Sequence, residues 1–570
     1  MLNLIQKNKT RNRMAKIYSL KINNYRGIKD FEQVFGFTDF ICLIGRGGSG
    51  KTTIIEAISK VLSPNWNLPF IDTDFYNSNI DEAINIEVTL YDLPSKITQE
   101  DKFGLYLRGL NKETLEINKE LGDDDEPILT IRLVVDKDLE PMWTVIDEQQ
   151  QAKDIRALDR AIFNVFLVSD YIDKHFSWNY GSPLYSLLKQ EKDIEGKEKN
   201  IVIDSLRDAK KIIDENSFSY LDSTFSKLAI KAAQLGIDID SGSKTTIDVR
   251  DLFIKDGKVC LHQDDIPFRL KGKGDKRLIS IAIQTALVEN GGIVLIDEIE
   301  QGLEPDRVQH LANRLKKNNS GQIFITTHSR DVLVELIVGD LFLMKEGAVN
   351  LISFEEEMQG VLRSSPEAFF SKRILLCEGA TEVGFCRAIN DFRIKNGEEN
   401  LALKGIRIVD GRGSEQVKYA QNFIAAGFDV CLFCDSDVDN VNEEKNNLRD
   451  LGVLVVDCDD DKSIEQQIFC DIPCTHEGFF ALTNYHKEVN DVTREVFNSN
   501  LEKRLSSMSI DKNDVNIRKA LGFSSSKKGW FKRIDHGMRL GEICCDNLDE
   551  MKTKTLGKQI EKISKWIDND

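Results

Sequence analysis

One stretch narrows the folds open to this 570-residue chain more than any other: Ile41-Cys42-Leu43-Ile44-Gly45-Arg46-Gly47-Gly48-Ser49-Gly50-Lys51-Thr52-Thr53. Its apolar start reads as a buried strand. The spacing G-x-x-x-x-G-K-T follows, and the periodic apolar run Ile54, Ile55, Ala57, Ile58, Val61, Leu62 reads as a helix. Strand, glycine-rich loop and helix in that order form a P-loop. A triphosphate needs backbone N–H groups converging on its oxygens and a helix N-terminus aimed at them. Gly45, Gly47, Gly48 and Gly50, with Ser49 among them, let the backbone wrap that closely without Cβ clashes. Lys51 is expected on the β- and γ-phosphates and the Thr52 hydroxyl on Mg²⁺, with Thr53 beside them. A glycine-rich surface turn that happens to end in lysine is the bland alternative, and the flanking strand and helix argue against it.

Length suggests two to four domains. No apolar run approaches the roughly 18 residues of a membrane span, so no membrane partner is expected. Met1–Met14 is basic and polar without an apolar h-region, which reads as an arm (or as residues before a start at Met14), not a secretory signal. The net charge of −18 argues against a generic basic coat for nucleic acid but leaves room for a local basic groove. The 11 cysteines are odd in number and irregularly spaced. Cys42, Cys260, Cys377, Cys431 and Cys434 fall in apolar strand contexts, so the thiols read as reduced and the protein as cytoplasmic. Cys431-x-x-Cys434 lies within such a strand and lacks a second pair, so it reads as structural, not as half a zinc site.

Ile17–Ile22, Asp39–Ile44, Ala83–Leu90, Ile128–Val135 and Trp143–Ile146 read as strands, with a turn at Asn23–Ile28 and a polar–aromatic loop at Asp72–Tyr76. Asp154–Val168, Ser182–Gln190, Asn200–Glu215 and Phe218–Gln234 read as helices. Together with the charged segment Lys189–Lys199 they describe a helical insertion over about 150–245, either solvated or pairing two subunits. Lys271-Gly272-Lys273-Gly274-Asp275-Lys276-Arg277 interrupts the pattern, and a helix follows. Ile293–Ile296 then forms a buried strand ending in Asp297-Glu298, a Walker B pattern. Asp297 is suited to hold Mg²⁺ through water, and Glu298 to polarise an attacking water. After the loop Gln301–Asp306 and a helix, the strand Gln322–Thr326 delivers His328 to the place of a γ-phosphate sensor.

A second unit starts near Ser371. Strands Arg373–Cys377, Ile406–Val409, Phe428–Cys434 and Val453–Val456 end in Glu378 with Glu382 four residues on, in Asp410-Gly411, in Asp435-Ser436-Asp437, and in Asp457 with Glu465 downstream. Parallel strands bring such ends to one edge. Clustered carboxylates repel, and Mg²⁺ or Mn²⁺ removes the conflict; two such ions can activate water on a phosphodiester. A solvated acidic rim is the plain alternative. Ser526–Arg533 mixes basic and aromatic residues, which suits either a nucleic-acid contact or a helix end with snorkelling lysines.

Taken together, the first 350 or so residues resemble an ABC-type ATPase of the DNA-repair kind. In that family the signature loop of one subunit caps the nucleotide of another. The equivalent here, Gly272-Lys273-Gly274-Asp275 with Arg277, departs from Ser-Gly-Gly and carries an acid that Lys273, Lys276 or Arg277 must offset; a basic cluster facing nucleic acid is the alternative. The E-G-x-x-E of Glu378–Glu382 and the D-x-D of Asp435–Asp437 resemble a Toprim domain. An ABC ATPase followed by Toprim is the order of the OLD (overcoming lysogenization defect) nucleases. The resemblance implies an α/β fold: an ATPase domain over 1–365, a Toprim core with a parallel sheet over 366–475, and a helical extension over 476–570. It implies ATP and Mg²⁺ (or Mn²⁺) as cofactors, and Glu378, Glu382, Asp435, Asp437 and Glu465 as metal ligands, with Asp439 and Asp457 as weaker candidates. It also implies a C-terminal lysine near the metals, which Lys528 or Lys532 fits. Expected partners are DNA, further copies of the chain joined through the ATPase domain as a dimer or tetramer, and a second defence protein or a reverse transcriptase with its DNA product. The activity implied is an ATP-gated DNA endonuclease in anti-phage defence of a retron or Gabija-like kind. An assembly or sensor module that binds without cutting is the alternative.

Overall fold

The computed structural model describes residues 15–169, 172–176, 183–189, 208, 261–263, 265–288, 291–317, 321–459, 461–473 and 515–569. The expected helices Asn200–Glu215 and Phe218–Gln234 and the thiol of Cys260 lie outside these residues, apart from a single helical position at 208.

The N-terminal half has two sheets. Strands β1 (Lys16–Tyr25), β2 (Ile28–Val34), β4 (Ile84–Tyr91), β5 (Arg108–Leu110), β6 (Ile117–Asn118) and β7 (Glu126–Val135) form an antiparallel sheet in the order β2-β1-β4-β7-β5-β6, extended from β7 by β8 (Pro141–Ile146) and β9 (Lys153–Asp154). Strands β3 (Phe40–Ile44), β10 (Val165–Val168), β13 (Ile293–Ile296), β14 (Gln322–Thr326) and β15 (Leu341–Leu343) form a parallel sheet in the order β10-β13-β14-β3-β15. A small hairpin, β11 (His262–Gln263) with β12 (Ile266–Pro267), stands apart. Every residue of β3, β13 and β14 is buried, as expected of parallel strands covered on both faces. Gln322 joins the two sheets: its side-chain amide donates to Ile17 O and Thr38 O (both 2.9 Å) and accepts from Ile17 N at 2.7 Å.

The expectation of one helix over Asp154–Val168 is wrong. Only Ala157–Arg160 is an α-turn; Asn164 then takes a left-handed conformation (φ 50°), and Val165–Val168 becomes the edge strand paired with β13. A Val-Phe-Leu-Val run gains more from that pairing than from helix, because its branched and aromatic side chains fit a pleated, half-buried surface. Helix α1 (Lys51–Val61) packs between the two sheets, and α2 (Pro183–Lys189) realises the expected Ser182–Gln190 helix. Lys271–Arg277 is less of an interruption than expected: α3 (Lys273–Leu287) already contains Gly274 to Arg277. Helix α4 (Pro305–Lys316) follows the Walker B strand.

The second half is a parallel sheet in the order β17-β16-β18-β19: β16 (Arg373–Cys377), β17 (Ile406–Asp410), β18 (Asp429–Cys434) and β19 (Leu454–Asp457). Its helices are α5 (Ala380–Lys395), α6 (Gln416–Ala425), α7 (Asp439–Asp450) and α8 (Ile464–Asp471), followed by α9 (Val515–Lys528), α10 (Ile534–Asp546) and α11 (Thr555–Asp568). Helices α5 and α10 nearly touch. A Cβ at Gly384 would strike Ile534 O, and one at Gly537 would strike Thr381 O, so only glycine permits this approach. One continuous apolar core runs from the ATPase sheet (Ile44, Ile296, Ile325) through Phe354 and Phe369 to Val409, Phe423 and Leu432 of the second sheet. No helix among the described residues is long and apolar enough to cross a membrane.

Candidate active sites: a nucleotide cradle and a carboxylate cluster

Register places the first site. Cys42 pairs with Ile325, which pairs with Ile296, so the P-loop, Asp297-Glu298 and Thr327-His328 all leave one sheet edge. Gly45 (φ 139°), Gly48 (φ 79°) and Gly50 (φ 104°) take conformations that side chains resist, and a Cβ at Gly45 would collide with Met344 O. Gly47 faces open space, Ser49 is buried, and Thr53 lies half-buried in the first turn of α1. The buried Lys51 ammonium donates to Gly45 O (2.9 Å) and Arg46 O (2.8 Å). Burial lowers its pKa to about 8, against the pull of Asp297, Glu298 and Glu300. Its ammonium thus faces the loop that would hold phosphate.

The Thr52 hydroxyl donates to Asp297 Oδ1 at 3.1 Å, and Thr326 Oγ1 donates to the same oxygen at 2.6 Å. Hydroxyl and carboxylate therefore meet as a shared Mg²⁺ site requires. Glu298 follows with φ 48°, its N–H bonded to Thr326 Oγ1 and its side chain exposed toward solvent. Glu300 accepts from Thr327 Oγ1 (2.8 Å) and His328 N (2.6 Å), fixing the turn that carries His328; the sequence pattern assigns Glu300 no role. Burial and Lys51 keep the His328 pKa below its ordinary value.

The signature loop differs from expectation. Gly272 caps α3, and Gly274 packs against Gly302 so closely that a Cβ would strike Gly302 O. Arg277 points inward to the carbonyls of Asp297 and Glu298 and to Gln301 Oε1 (2.9 Å) of its own chain. The base facing Asp275 is Arg307, at 3.3 Å, a partner no sequence spacing indicates.

The second site lies at the C-terminal edge of β16 and β18. Glu378 Oε2 accepts from Asp435 N at 2.9 Å, Glu382 Oε2 from Gly379 N at 2.9 Å, and Asp435 Oδ1 from Ile464 N at 2.7 Å. Glu465, next along, is 0% exposed; both its carboxylate oxygens and Glu382 Oε1 lack hydrogen-bond partners. Burial first, then Glu378 and Glu465, lifts the Asp435 pKa to about 8, and burial with Asp435 and Glu465 raises that of Glu382. Orphaned, mutually repelling buried carboxylates fit a hard divalent cation. No group of three His, Cys, Asp or Glu among the described residues forms a ready-made cage. Lys532 Nζ stands 3.7 Å from Glu465 Oε1, and the cluster raises its pKa. Asp437 lies exposed at the rim. Asp457 is paired with Arg449 at 2.7 Å, which weakens it as a ligand. Lys528 ends α9.

The loops of the nucleotide cradle rest on the opposite, N-terminal edge of the second sheet. Arg46 fills the space above Gly405, His328 lies 6.1 Å from Phe370 ring to ring, and Lys345 Nζ sits 4.3 Å above the Phe428 ring.

Fold and sites together define a P-loop ATPase joined to a Toprim-type sheet. Residues 40–335 match the family "AAA domain, putative AbiEii toxin, Type IV TA system", and residues 369–437 match "Overcoming lysogenization defect protein-like, TOPRIM domain". The chain belongs to that AAA family and, with its second domain, is an ATPase–Toprim fusion of the OLD type. It is 23% identical over 375 residues to the DNA replication and repair protein RecF of Parabacteroides distasonis (58% of this chain, 97% of the relative). Over 101 residues it is 34% identical to the uncharacterized protein MJECL11 of Methanocaldococcus jannaschii (16% of this chain, 88% of the relative). Among solved structures, the Pyrococcus furiosus Smc head domain bound to ScpA aligns at 16% identity and TM-score 0.35, over 62% of this chain and 99% of that one.

Proposed function

We propose that this chain is an ATP-gated, divalent-metal-dependent DNA endonuclease serving anti-phage defence. The observation that carries the reading is the set of buried, unpartnered carboxylate oxygens on Glu382 and Glu465 beside Asp435, with Lys532 at their mouth. Glu378, Glu382, Asp435 and Glu465 would hold Mg²⁺ or Mn²⁺, with Asp437 from the rim, and the ion would supply an activated water and a counter-charge for the departing oxygen. Lys532 meets the phosphate from the solvent side as a compact positive charge. The relative RecF, named for DNA replication and repair, supports DNA as the substrate.

In the ATPase half, Lys51 and the P-loop amides bind the phosphates of ATP, Thr52 and Asp297 take Mg²⁺, Glu298 orients water, and His328 senses the γ-phosphate. A second copy, docked through its ATPase domain, closes the nucleotide with Gly272–Asp275. The domains run 1–365, 366–475 and 476–570, and a second defence protein or a reverse transcriptase product supplies the trigger.

Plasmid nicking with Mg²⁺ or Mn²⁺, with and without ATP, tests the proposal. The wild type should cut; Glu378→Ala and Asp435→Ala should not. A clean wild-type preparation that binds ATP and never cuts would favour a non-cutting assembly or sensor module.

A further inference from the structure

We infer that Lys445 is a positioning residue for the carboxylate site: with Asn442 it fixes the Asp435-Ser436-Asp437 turn in the form that receives a divalent cation. The inference rests on the metal-dependent reading above. Helix α7 is polar along most of its length, yet its inward face carries Asn442, Lys445 and Leu448 at helical spacing. A lysine thus occupies a position where the period calls for an apolar residue, and it is only 1% exposed. Among the described residues no carboxylate stands within ion-pair distance of its ammonium. Its acceptors are the carbonyl of Asp435 and, at 2.8 Å, Asn442 Oδ1.

A buried ammonium without a paired carboxylate is costly, so its place must be bought back by what it holds. Asn442 Nδ2 donates in turn to Ser436 O at 3.0 Å, so the dyad grips two consecutive carbonyls of the turn. The other side of the turn is already tied: Asp435 N to Glu378, Asp435 Oδ1 to Ile464 N, and Ser436 N to Lys462 O at 2.9 Å. Of all these groups only Lys445 brings positive charge. It sits one peptide behind carboxylates that repel one another, and a charge-assisted bond to the Asp435 carbonyl sets the plane from which that side chain projects. Lys532 faces solvent at the front; Lys445 is closed off behind the turn and never meets substrate.

Mn²⁺ titration of the full chain without nucleotide, read by loss of the free-ion electron paramagnetic resonance signal, tests this. Losing a partner that orients metal ligands costs about 10–100-fold in metal affinity. Lys445→Met should show such a loss with circular dichroism and ATP binding unchanged, and Lys445→Arg should recover part of it. Asn442→Ala should weaken Mn²⁺ in the same direction, and it decides the matter if Lys445→Met does not fold. Wild-type binding that Asp435→Asn weakens but Lys445→Met and Asn442→Ala leave intact overturns the Lys445 role alone. Equal Mn²⁺ binding by wild type and Asp435→Asn removes the metal site itself, and the role of Lys445 with it.

Discussion

Divalent-ion affinity at the carboxylate cluster should climb with pH and level off near pH 8. The group that responds to pH is Asp435, lifted from 3.8 to about 8 by burial and by Glu378 and Glu465. Below that value most molecules carry the proton. A cation requires the carboxylate, so each ion bound expels a proton and affinity gains about tenfold per pH unit. Between pH 6 and pH 8 the rise is about fiftyfold, or about 2.3 kcal/mol, because the gain tails off as Asp435 reaches half-ionisation. The Glu382 carboxyl, raised by burial and then by Asp435 and Glu465, acts in the same direction.

Folding responds with the opposite sign. A carboxyl with a raised pKa supports the metal-free fold fully below 3.8, and that support is lost as pH rises through about 8. The metal-free protein should therefore weaken toward pH 9, and Mn²⁺ should restore it most there. Calorimetric Mn²⁺ titration in two buffers of different ionisation enthalpy counts the released protons directly. Affinity that stays flat from pH 6 to 8 with no proton release would mean that the cluster is already ionised at pH 6 and that Asp435 holds no proton there. Asp435→Asn should flatten the wild-type profile.

Three other expectations follow from particular contacts. Lys51→Ala removes the ammonium from the phosphate loop and, at about 1.5–3 kcal/mol per charge-assisted bond, should weaken ATP at least a hundredfold; unchanged affinity in a fluorescent-nucleotide titration would remove the P-loop assignment. Gly405→Ala places a methyl against Arg46 at a backbone φ of 71°. It should leave ATP binding and metal-dependent nicking in place while changing the ratio of nicking with and without ATP, and an unchanged ratio would deny the contact any part in coupling. Arg373 donates to the carbonyls of Trp566, Ile567 (3.3 Å) and Asn569 (2.8 Å), and its guanidinium lies 4.0 Å from the Trp566 ring centre. Arg373→Ala should cost about 3 kcal/mol, seen as a lower urea midpoint with m unchanged.

Much of this was legible because it is local. The glycines of 45–50, the apolar runs before Asp297 and Glu378, and the alternation of β4 each follow from a few consecutive residues. The second sheet was readable for the same reason: four apolar strands, each ending in acids. What escaped depends on distant pairing. Val165–Val168 looks helical until β13 lies beside it, and Asn164 marks the break only once its conformation is known. Lys273, Lys276 and Arg277 are the bases that sequence proximity offers to Asp275, and Arg277 is not available to it. Helical geometry sends Arg277 inward and Asp275 to Arg307, thirty-two positions on. Lys445 gave no signal, because one lysine in a polar helix is indistinguishable from its solvated neighbours until burial is known.

The core shared by the two sheets bears on how such a chain can be handled and how it can evolve. Phe354, Phe369, Phe423 and Phe428 belong to one packed body with the interior of the ATPase sheet. Severed near residue 365, either fragment would carry a broad apolar wound and tend to aggregate. Chimeras made by grafting the second half onto a foreign ATPase would need both faces of that seam redesigned together. Substitutions along it should therefore drift in concert across the boundary, as they do within a single domain.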